Sequence, residues 1–168
     1  MAVHRPVVLV GMPFAAVRFP SIQLGILRAL LERESIPVEV RSYNVAFHDW
    51  LMRAAARSGR ALTVEDDEML NNDLGATNEW IFAVPPFHQP SAETDAKIAK
   101  YHQGSETTPE QVEMLFWIRS QVPSFLEWCL EDLMRSQPAI VGFSSTFAQN
   151  SSSLVMAKLV KNQNIKRK

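Results

Sequence analysis

Val7-Val8-Leu9-Val10-Gly11-Met12 is a continuous apolar run, rich in β-branched residues, near the start of a chain of 168 residues. Such a run is typical of a strand that is buried on both faces of a parallel sheet. After a loop that ends at Pro20, Ser21 is suited to cap a helix, and apolar residues recur at helical spacing over residues 22–30. Residues 38–43 then alternate and predict a second strand nearer an edge. Strand, helix and strand in this order predict a right-handed βαβ unit over residues 1–44.

Residues 45–136 have a different character, because they indicate helices and loops and contain no convincing strand pattern. The clearest helix start is Thr108-Pro109-Glu110-Gln111, which combines an N-cap, a proline at the first helical position and a glutamine three residues after the cap. That helix is expected to run to Ser136 with a kink near Pro123. Further helices are predicted at 45–57, after a capping box at 63–66, and at 92–101. We interpret this region as a helical insertion.

The buried-strand pattern returns at residues 138–143 and is followed by a polar turn and an apolar-faced helix, so that the third strand and its helix together occupy residues 137–161. Residues 162–168 are expected to form a basic tail. The fold class predicted is therefore α/β, an incomplete doubly wound, Rossmann-like parallel sheet of about three strands in a single domain, residues 1–168. Three strands leave an exposed sheet edge, which favours a second chain that completes the sheet.

Composition and motifs exclude several classes of function. The net charge of −1 argues against nucleic acid as a partner, and no stretch has the roughly 20 apolar residues of a membrane helix, so neither is expected. Without a signal peptide, and with one cysteine, the chain is expected to be cytoplasmic. The four histidines lack metal-ligand spacing, so no metal ligands are predicted. G-x-G-x-x-G, P-loop and G-x-S-x-G motifs are absent, and no catalytic residue is assigned.

Two loops leave the carboxyl ends of predicted buried strands, which is where open α/β sheets bind ligands. The first, residues 12–21, is apolar, rich in proline and leads into a helix N-terminus that favours anions. The second, residues 144–150, is a row of hydroxyls and amides at another helix start. These polar groups are suited either to contact a ligand or to cap the helix. Trp80 is likewise open to two interpretations, core packing or a stacking face for a flat cofactor.

Three stretches resemble the N-terminal cobalamin-binding region of cobalamin-dependent radical S-adenosylmethionine enzymes, in the branch of C-methyltransferases that mature ribosomally made peptides (RiPPs). They are VVLVGMPFAAVRFPSIQLGILRALLE from Val7, NEWIFAVP from Asn78, and PAIVGFSSTFAQNSSSLVMAKLVK from Pro138. The resemblance implies a fold of the cobalamin-binding type with the corrin across the strand ends. Two sets of residues would contact it, with Trp80 as the candidate for filling its lower face: Met12, Pro13, Phe14, Arg18, Ser21, Leu24 and Gly25, and Ser144, Ser145, Thr146, Phe147, Gln149 and Asn150.

The chain also departs from that family. It has a single cysteine and lacks the C-x-x-x-C-x-x-C motif that binds a four-iron cluster, so no iron–sulfur cluster is expected in it. It has no D-x-H-x-x-G motif, in keeping with cobalamin held without a histidine on cobalt. The resemblance thus implies a cobalamin-binding, metal-binding module or fragment of a radical SAM methyltransferase, not catalytic alone. A radical SAM domain and a precursor peptide are its implied partners. A non-enzymatic peptide- or partner-binding module that has lost cobalamin, and a truncated gene product, remain alternatives.

Overall fold

A computed structural model describes residues 5–15, 17, 19–60, 62, 76–103, 107–146 and 148–166. It confirms the predicted fold class, an α/β fold with an open sheet of three parallel strands. In these residues the elements follow one another as β1 (Val7–Gly11), α1 (Ile22–Arg33), β2 (Val38–Ser42), α2 (Tyr43–Arg57), α3 (Ala76–Phe82), α4 (Ala92–Gln103), α5 (Pro109–Arg135), β3 (Ile140–Ser144) and α6 (Asn150–Lys166).

The first strand in the sequence is the centre of the sheet, whose order is β2-β1-β3. Val7 pairs with Val38 on one side and with Ile140 on the other, so that all three strands start level. Val8 and Val10 have no exposed surface. The strand with the most apolar sequence therefore takes the position that has a neighbour on both sides, as the pattern predicts.

Alternate residues of β1 serve two different layers. Val8, Val10 and Met12 join the main core, which contains buried side chains of α2, α5 and α6. Leu9 points to the opposite face, where α1 packs. The side chain of Leu9 lies over β3 because Gly142 has no Cβ, and a Cβ there would come within 3.3 Å of Leu9 Cδ2.

Helix α1 covers this second face with only part of its apolar surface. Ser21 caps it as predicted, since its Oγ accepts from the amide of Leu24 at 3.3 Å. Leu24 is the buried residue of the helix. The apolar residues whose spacing predicts the helix are exposed, including 74 % of Ile22 and 56 % of Ile26. The spacing is right for a helix, but these residues do not face the sheet.

The insertion packs on the other face as a block of helices, and its described part contains no strand, as predicted. Thr108 and Gln111 form the predicted capping box at the start of α5, which continues as one helix through Pro123. The predicted capping box at 63–66 lies outside the described residues. Of the helices described, none is long and apolar enough to cross a membrane. At the other end of the chain, residues 162–166 of the predicted basic tail continue α6.

Candidate functional site

A cleft of about 570 Å³ opens at the carboxyl ends of the strands, and we call it the strand-end cleft. The central strand β1 has β2 on one side and β3 on the other, so the connections after β1 and β3 lead away in opposite directions. The cleft lies at this switch point, which is where such sheets bind ligands. Gly11, Ser42 and Ser144, the last residues of the three strands, all line it. The position predicted from the two loops is therefore occupied by a real cavity.

Every described side chain that lines the strand-end cleft is neutral. Its polar lining residues are Ser21, Gln23, Ser42, Asn44, Ser144, Thr146 and Gln149. Its apolar lining side chains are Phe14, Ala15, Val17, Phe19, Pro20, Ile22, Leu24 and Val45. Hydroxyls and amides both donate and accept hydrogen bonds, whereas none of these groups is an acid or base near neutral pH. The described lining suits a large uncharged ligand with an apolar body and amide or hydroxyl substituents.

The β1–α1 loop is anchored by an aromatic side chain that reaches the core. The Phe14 ring meets the rings of Phe47 and Phe82 edge-on, with centroid distances of 6.0 and 5.7 Å. Since Phe82 has no exposed surface and Phe47 is also buried, Phe14 forms part of a firm wall of the cleft. Beyond it, Ser21 Oγ both caps α1 and donates to Gln23 Oε1 at 3.0 Å.

The β3–α6 loop is held by its own side chains. Gln149 Oε1 accepts from the Thr146 hydroxyl at 2.7 Å, and Gln149 Nε2 donates to the Met12 carbonyl at 2.5 Å. Ser145 donates to Asn150 Oδ1 at 2.9 Å, and Ser152 Oγ donates to the Pro13 carbonyl. These bonds join the two loops that follow β1 and β3, so the walls of the cleft are preorganised before any ligand arrives.

The N-terminus of α6 already holds an anion from the protein itself. Glu79 of α3 accepts from the backbone N–H of Asn150 at 3.0 Å through Oε1 and from the backbone N–H of Ser151 at 2.6 Å through Oε2. A carboxylate at this place satisfies two free amides and faces the positive end of the helix dipole. A phosphate group would have to displace Glu79 to bind there. Sequence reasoning missed this residue, although it is the one acid of the segment NEWIFAVP.

The structure brings six of the predicted contact residues into the lining of the cleft: Phe14, Ser21, Leu24, Ser144, Thr146 and Gln149. Others lie beside it. Met12 and Pro13 are buried and present carbonyls to Gln149 and Ser152, and Gly25 is exposed on α1. Ser145 and Asn150 are exposed and bonded to each other. Arg18 and Phe147 lie outside the described residues.

Several lining residues were not predicted, and a signal for some of them exists. Ser42 ends β2 and Asn44 follows it, so the rule that points to the ends of β1 and β3 applies to them equally. Gln23 and Val45 lie within one turn of the starts of α1 and α2. Their contribution follows only from the way in which these two helices begin at the cleft.

Trp80 belongs to the helical block and does not line the cleft. It is 4 % exposed, and its Nε1 donates to Asp95 Oδ1 at 2.7 Å. The Arg119 guanidinium lies 4.5 Å from the ring centroid and donates to the Trp80 carbonyl. Burial lowers the pKa of Arg119. The ring is thus engaged by an acid, a cation and the neighbouring Phe116, as the core-packing interpretation expects.

Cys129 and His102 are two further residues whose side chains could take part in chemistry, and both are buried. Cys129 has no exposed surface, and burial raises the pKa of its thiol, which disfavours the reactive thiolate. His102 is 2 % exposed, with Thr77 Oγ1 2.9 Å from Nε2 and Thr107 Oγ1 3.1 Å from Nδ1. Among the described residues, no three His, Cys, Asp or Glu side chains come together in a way that could hold a metal ion.

A scan against protein-family models, a search of curated proteins and a search of solved structures each found no match to this chain.

Proposed function

We propose that this chain is a cobalamin-binding module, a fragment of a radical SAM peptide C-methyltransferase of RiPP maturation, and that it is not catalytic alone. The observation that carries the proposal is the strand-end cleft. Its walls are built from the loops after β1 and β3, and those two loops lie in the stretches that resemble the cobalamin-binding family. Residues far apart in the chain that share the resemblance also share one cavity.

The chemistry of the lining fits a corrin. A corrin ring is a broad apolar macrocycle that carries amide side chains, and the cleft offers apolar walls with neutral hydrogen-bonding groups between them. Phe14 and Leu24 would contact the ring, while Ser21, Ser144 and Thr146 would bond its amides. Bound cobalamin would supply a cobalt centre that carries a methyl group. The chain's own contribution is to hold and orient the ring.

The N-terminus of α6 affects where the cofactor could bind. Since Glu79 occupies the two amides at this helix start, the phosphodiester of the nucleotide tail would be repelled from it. In our proposal Ser144 and Thr146 would therefore hold the corrin through its neutral amide side chains, and the phosphodiester would not bind at this helix start. Catalysis would need further protein, because one cysteine cannot supply the three thiolates that hold a four-iron cluster.

The test is anaerobic mixing with hydroxocobalamin, followed by gel filtration and a visible spectrum of the protein peak. We expect a corrin spectrum to travel with the protein. Two neighbouring serines provide a matched pair of variants, since Ser144 lines the cleft and Ser145 does not. Ser144→Phe should abolish binding by filling the cleft, and Ser145→Phe should retain it. A folded but colourless wild-type protein would refute cobalamin binding by this chain. Equal binding by both variants would refute the location.

A partner-binding module that has lost cobalamin is the second candidate, and one specific observation favours it. The outward side of α1 is apolar and exposed, which is unusual for a helix that packs on a sheet. A protein that retains no cobalamin on gel filtration but binds another protein through α1 would support this candidate over the first.

A further inference from the structure

Gly11, the last residue of β1, leaves a gap in the lining of the strand-end cleft. Side chains alternate along a strand, so a side chain at this position would lie on the same face as Leu9, towards α1. A Cβ built there would lie 3.4 Å from Leu24 Cδ1, 3.7 Å from Asn44 Oδ1 and 4.0 Å from the Arg41 carbonyl oxygen. We call the space between these three atoms the Gly11 notch. Since Gly11, Leu24 and Asn44 all line the cleft, the notch opens into it.

The backbone of β1 does not require a glycine at position 11. Gly11 has no positive φ, and it pairs with Ser42 and Ser144 as an ordinary strand residue. An alanine methyl group would make only ordinary van der Waals contacts with the described atoms around it. Glycine weakens a strand, because it has no side chain to pack and loses more conformational entropy on folding. A strand glycine that the fold does not need is typical of a place where a ligand approaches the backbone closely.

The chemistry of the Gly11 notch is set by two oxygens. Of the three described atoms around it, Asn44 Oδ1 and the Arg41 carbonyl oxygen are both hydrogen-bond acceptors, so a carboxylate or a phosphate would be repelled. An ammonium group would have to give up its hydration, and the described lining of the cleft contains no carboxylate to pair with it. A neutral donor fits best, and a primary carboxamide carries two N–H groups on one nitrogen.

The junction between β2 and α2 holds these two oxygens in place. Tyr43 is buried, and its hydroxyl oxygen lies 3.0 Å from both the Cys129 carbonyl oxygen and Asp132 Oδ2. The Arg41 guanidinium also donates to Asp132 Oδ2 at 3.0 Å. Asp132 of α5 thereby fixes the main chain that bears the Arg41 carbonyl and the Asn44 side chain. Acceptors that are held before a ligand arrives lose little entropy when it binds.

We infer that the Gly11 notch is a subsite for one primary carboxamide of the ligand, which donates its two N–H groups to Asn44 Oδ1 and to the Arg41 carbonyl. The inference rests on the proposed function, because the amide side chains of the corrin are the groups that the notch would select. Leu24 would pack against the carbon chain that bears the amide. Gly11 and Asn44 are then specificity-determining residues, since a corrin with esters in place of its amides would lose both hydrogen bonds here.

Equilibrium dialysis against cobinamide, read by the absorbance of the corrin, tests the notch. Cobinamide has the corrin amides without the nucleotide tail. We expect Gly11→Ala to bind it at least about tenfold more weakly than the wild type, because the methyl group fills the notch and removes these hydrogen bonds. Gly142→Ala is the matched control, a glycine of β3 outside the described lining, where a methyl group would meet the Leu9 side chain. It should bind like the wild type. Equal affinity of Gly11→Ala and the wild type, or an equal loss in both variants, would overturn the inference.

Asn44→Leu tests the recognition of the amide without relying on Gly11. The second ligand is cobyrinic acid heptamethyl ester, which has the same ring but offers no N–H. The wild type should prefer cobinamide to this ester, and Asn44→Leu should reduce the preference about tenfold, a ratio that a general loss of structure would not change. An unchanged preference would overturn the inference and leave cobalamin binding intact. A wild type that binds neither corrinoid would refute cobalamin binding, and the inference would fall with it.

Discussion

Replacing Glu79 tests whether the carboxylate at the start of α6 holds the β3–α6 wall of the cleft in place. In Glu79→Gln the side chain keeps its size and one acceptor oxygen but loses its charge. In Glu79→Ala both amides, those of Asn150 and Ser151, lose their partner. Glu79→Gln therefore removes the charge and one of the two hydrogen bonds, whereas Glu79→Ala removes the charge and both hydrogen bonds.

The size of the effect follows from the exposure of the groups involved. A charge at a helix N-terminus contributes about 0.3–1 kcal/mol, and Glu79→Gln also loses one hydrogen bond that water partly replaces, so it should lower the free energy of unfolding by roughly 1 kcal/mol. Hydrogen bonds to charged groups contribute about 1.5–3 kcal/mol each when water is excluded. Here Asn150 is exposed and Ser151 is half-buried, so water replaces part of the loss. We expect about 2 kcal/mol for Glu79→Ala, close to the largest losses seen on removal of helix caps.

Urea unfolding followed by tryptophan fluorescence and by circular dichroism measures both losses, provided that the slope with denaturant stays constant. High salt should shrink the deficit of Glu79→Gln, because charge–dipole attraction is screened. Glu127→Gln is the control, since Glu127 is exposed within α5. If Glu79→Gln and Glu127→Gln differ by less than about 0.3 kcal/mol at low salt, the proposed charge–dipole contribution is absent, since it should amount to roughly 0.3–1 kcal/mol.

Three further changes test the core and the cleft, each by its effect on the free energy of unfolding. Gln149→Leu leaves the buried carbonyl of Met12 without its donor, so we expect a loss of about 1–3 kcal/mol and weaker corrin retention on gel filtration. Phe125→Ala removes a ring with no exposed surface, 4.7 Å from Phe47 by centroids, and should cost about 3–5 kcal/mol in urea unfolding. Burial lowers the pKa of His102, so its contribution to stability is complete above the unfolded value of about 6.5 and falls as the pH drops through the folded pKa. Between pH 8 and 5 the free energy of unfolding should therefore fall less steeply in His102→Gln than in the wild type. Identical pH dependence in the two proteins would contradict a lowered pKa of His102.

Features that depend on neighbouring residues were predictable from the sequence. The buried run that becomes β1, the Ser21 cap and the Thr108 capping box all follow from residues within one helical turn or one strand. The position of the strand-end cleft was predictable as well, because parallel strands bring their carboxyl ends to the same edge of the sheet.

Contacts between distant residues were not predictable in the same way. Glu79 and Asn150 are 71 positions apart, and Gln149 and Met12 are 137 positions apart. Nothing local marks these partners, since each has ordinary neighbours in the sequence. Which face of α1 packs on the sheet could not be predicted, for a different reason. Apolar residues lie on two sides of the helix, and only the packing of Leu24 against the sheet shows which side is inside.

The position of β1 in the sheet has a consequence for the order of events during synthesis. Of the three described strands β1 is synthesised first, but it lies between a neighbour that follows soon, β2, and one that begins only at Ile140. Closing such a long loop is entropically costly, so pairing of β1 with β3 is expected to be late. Until then one edge of β1, the most apolar of the three described strands, stays open to wrong partners. Translation speed and chaperone supply should therefore influence the soluble yield of this chain.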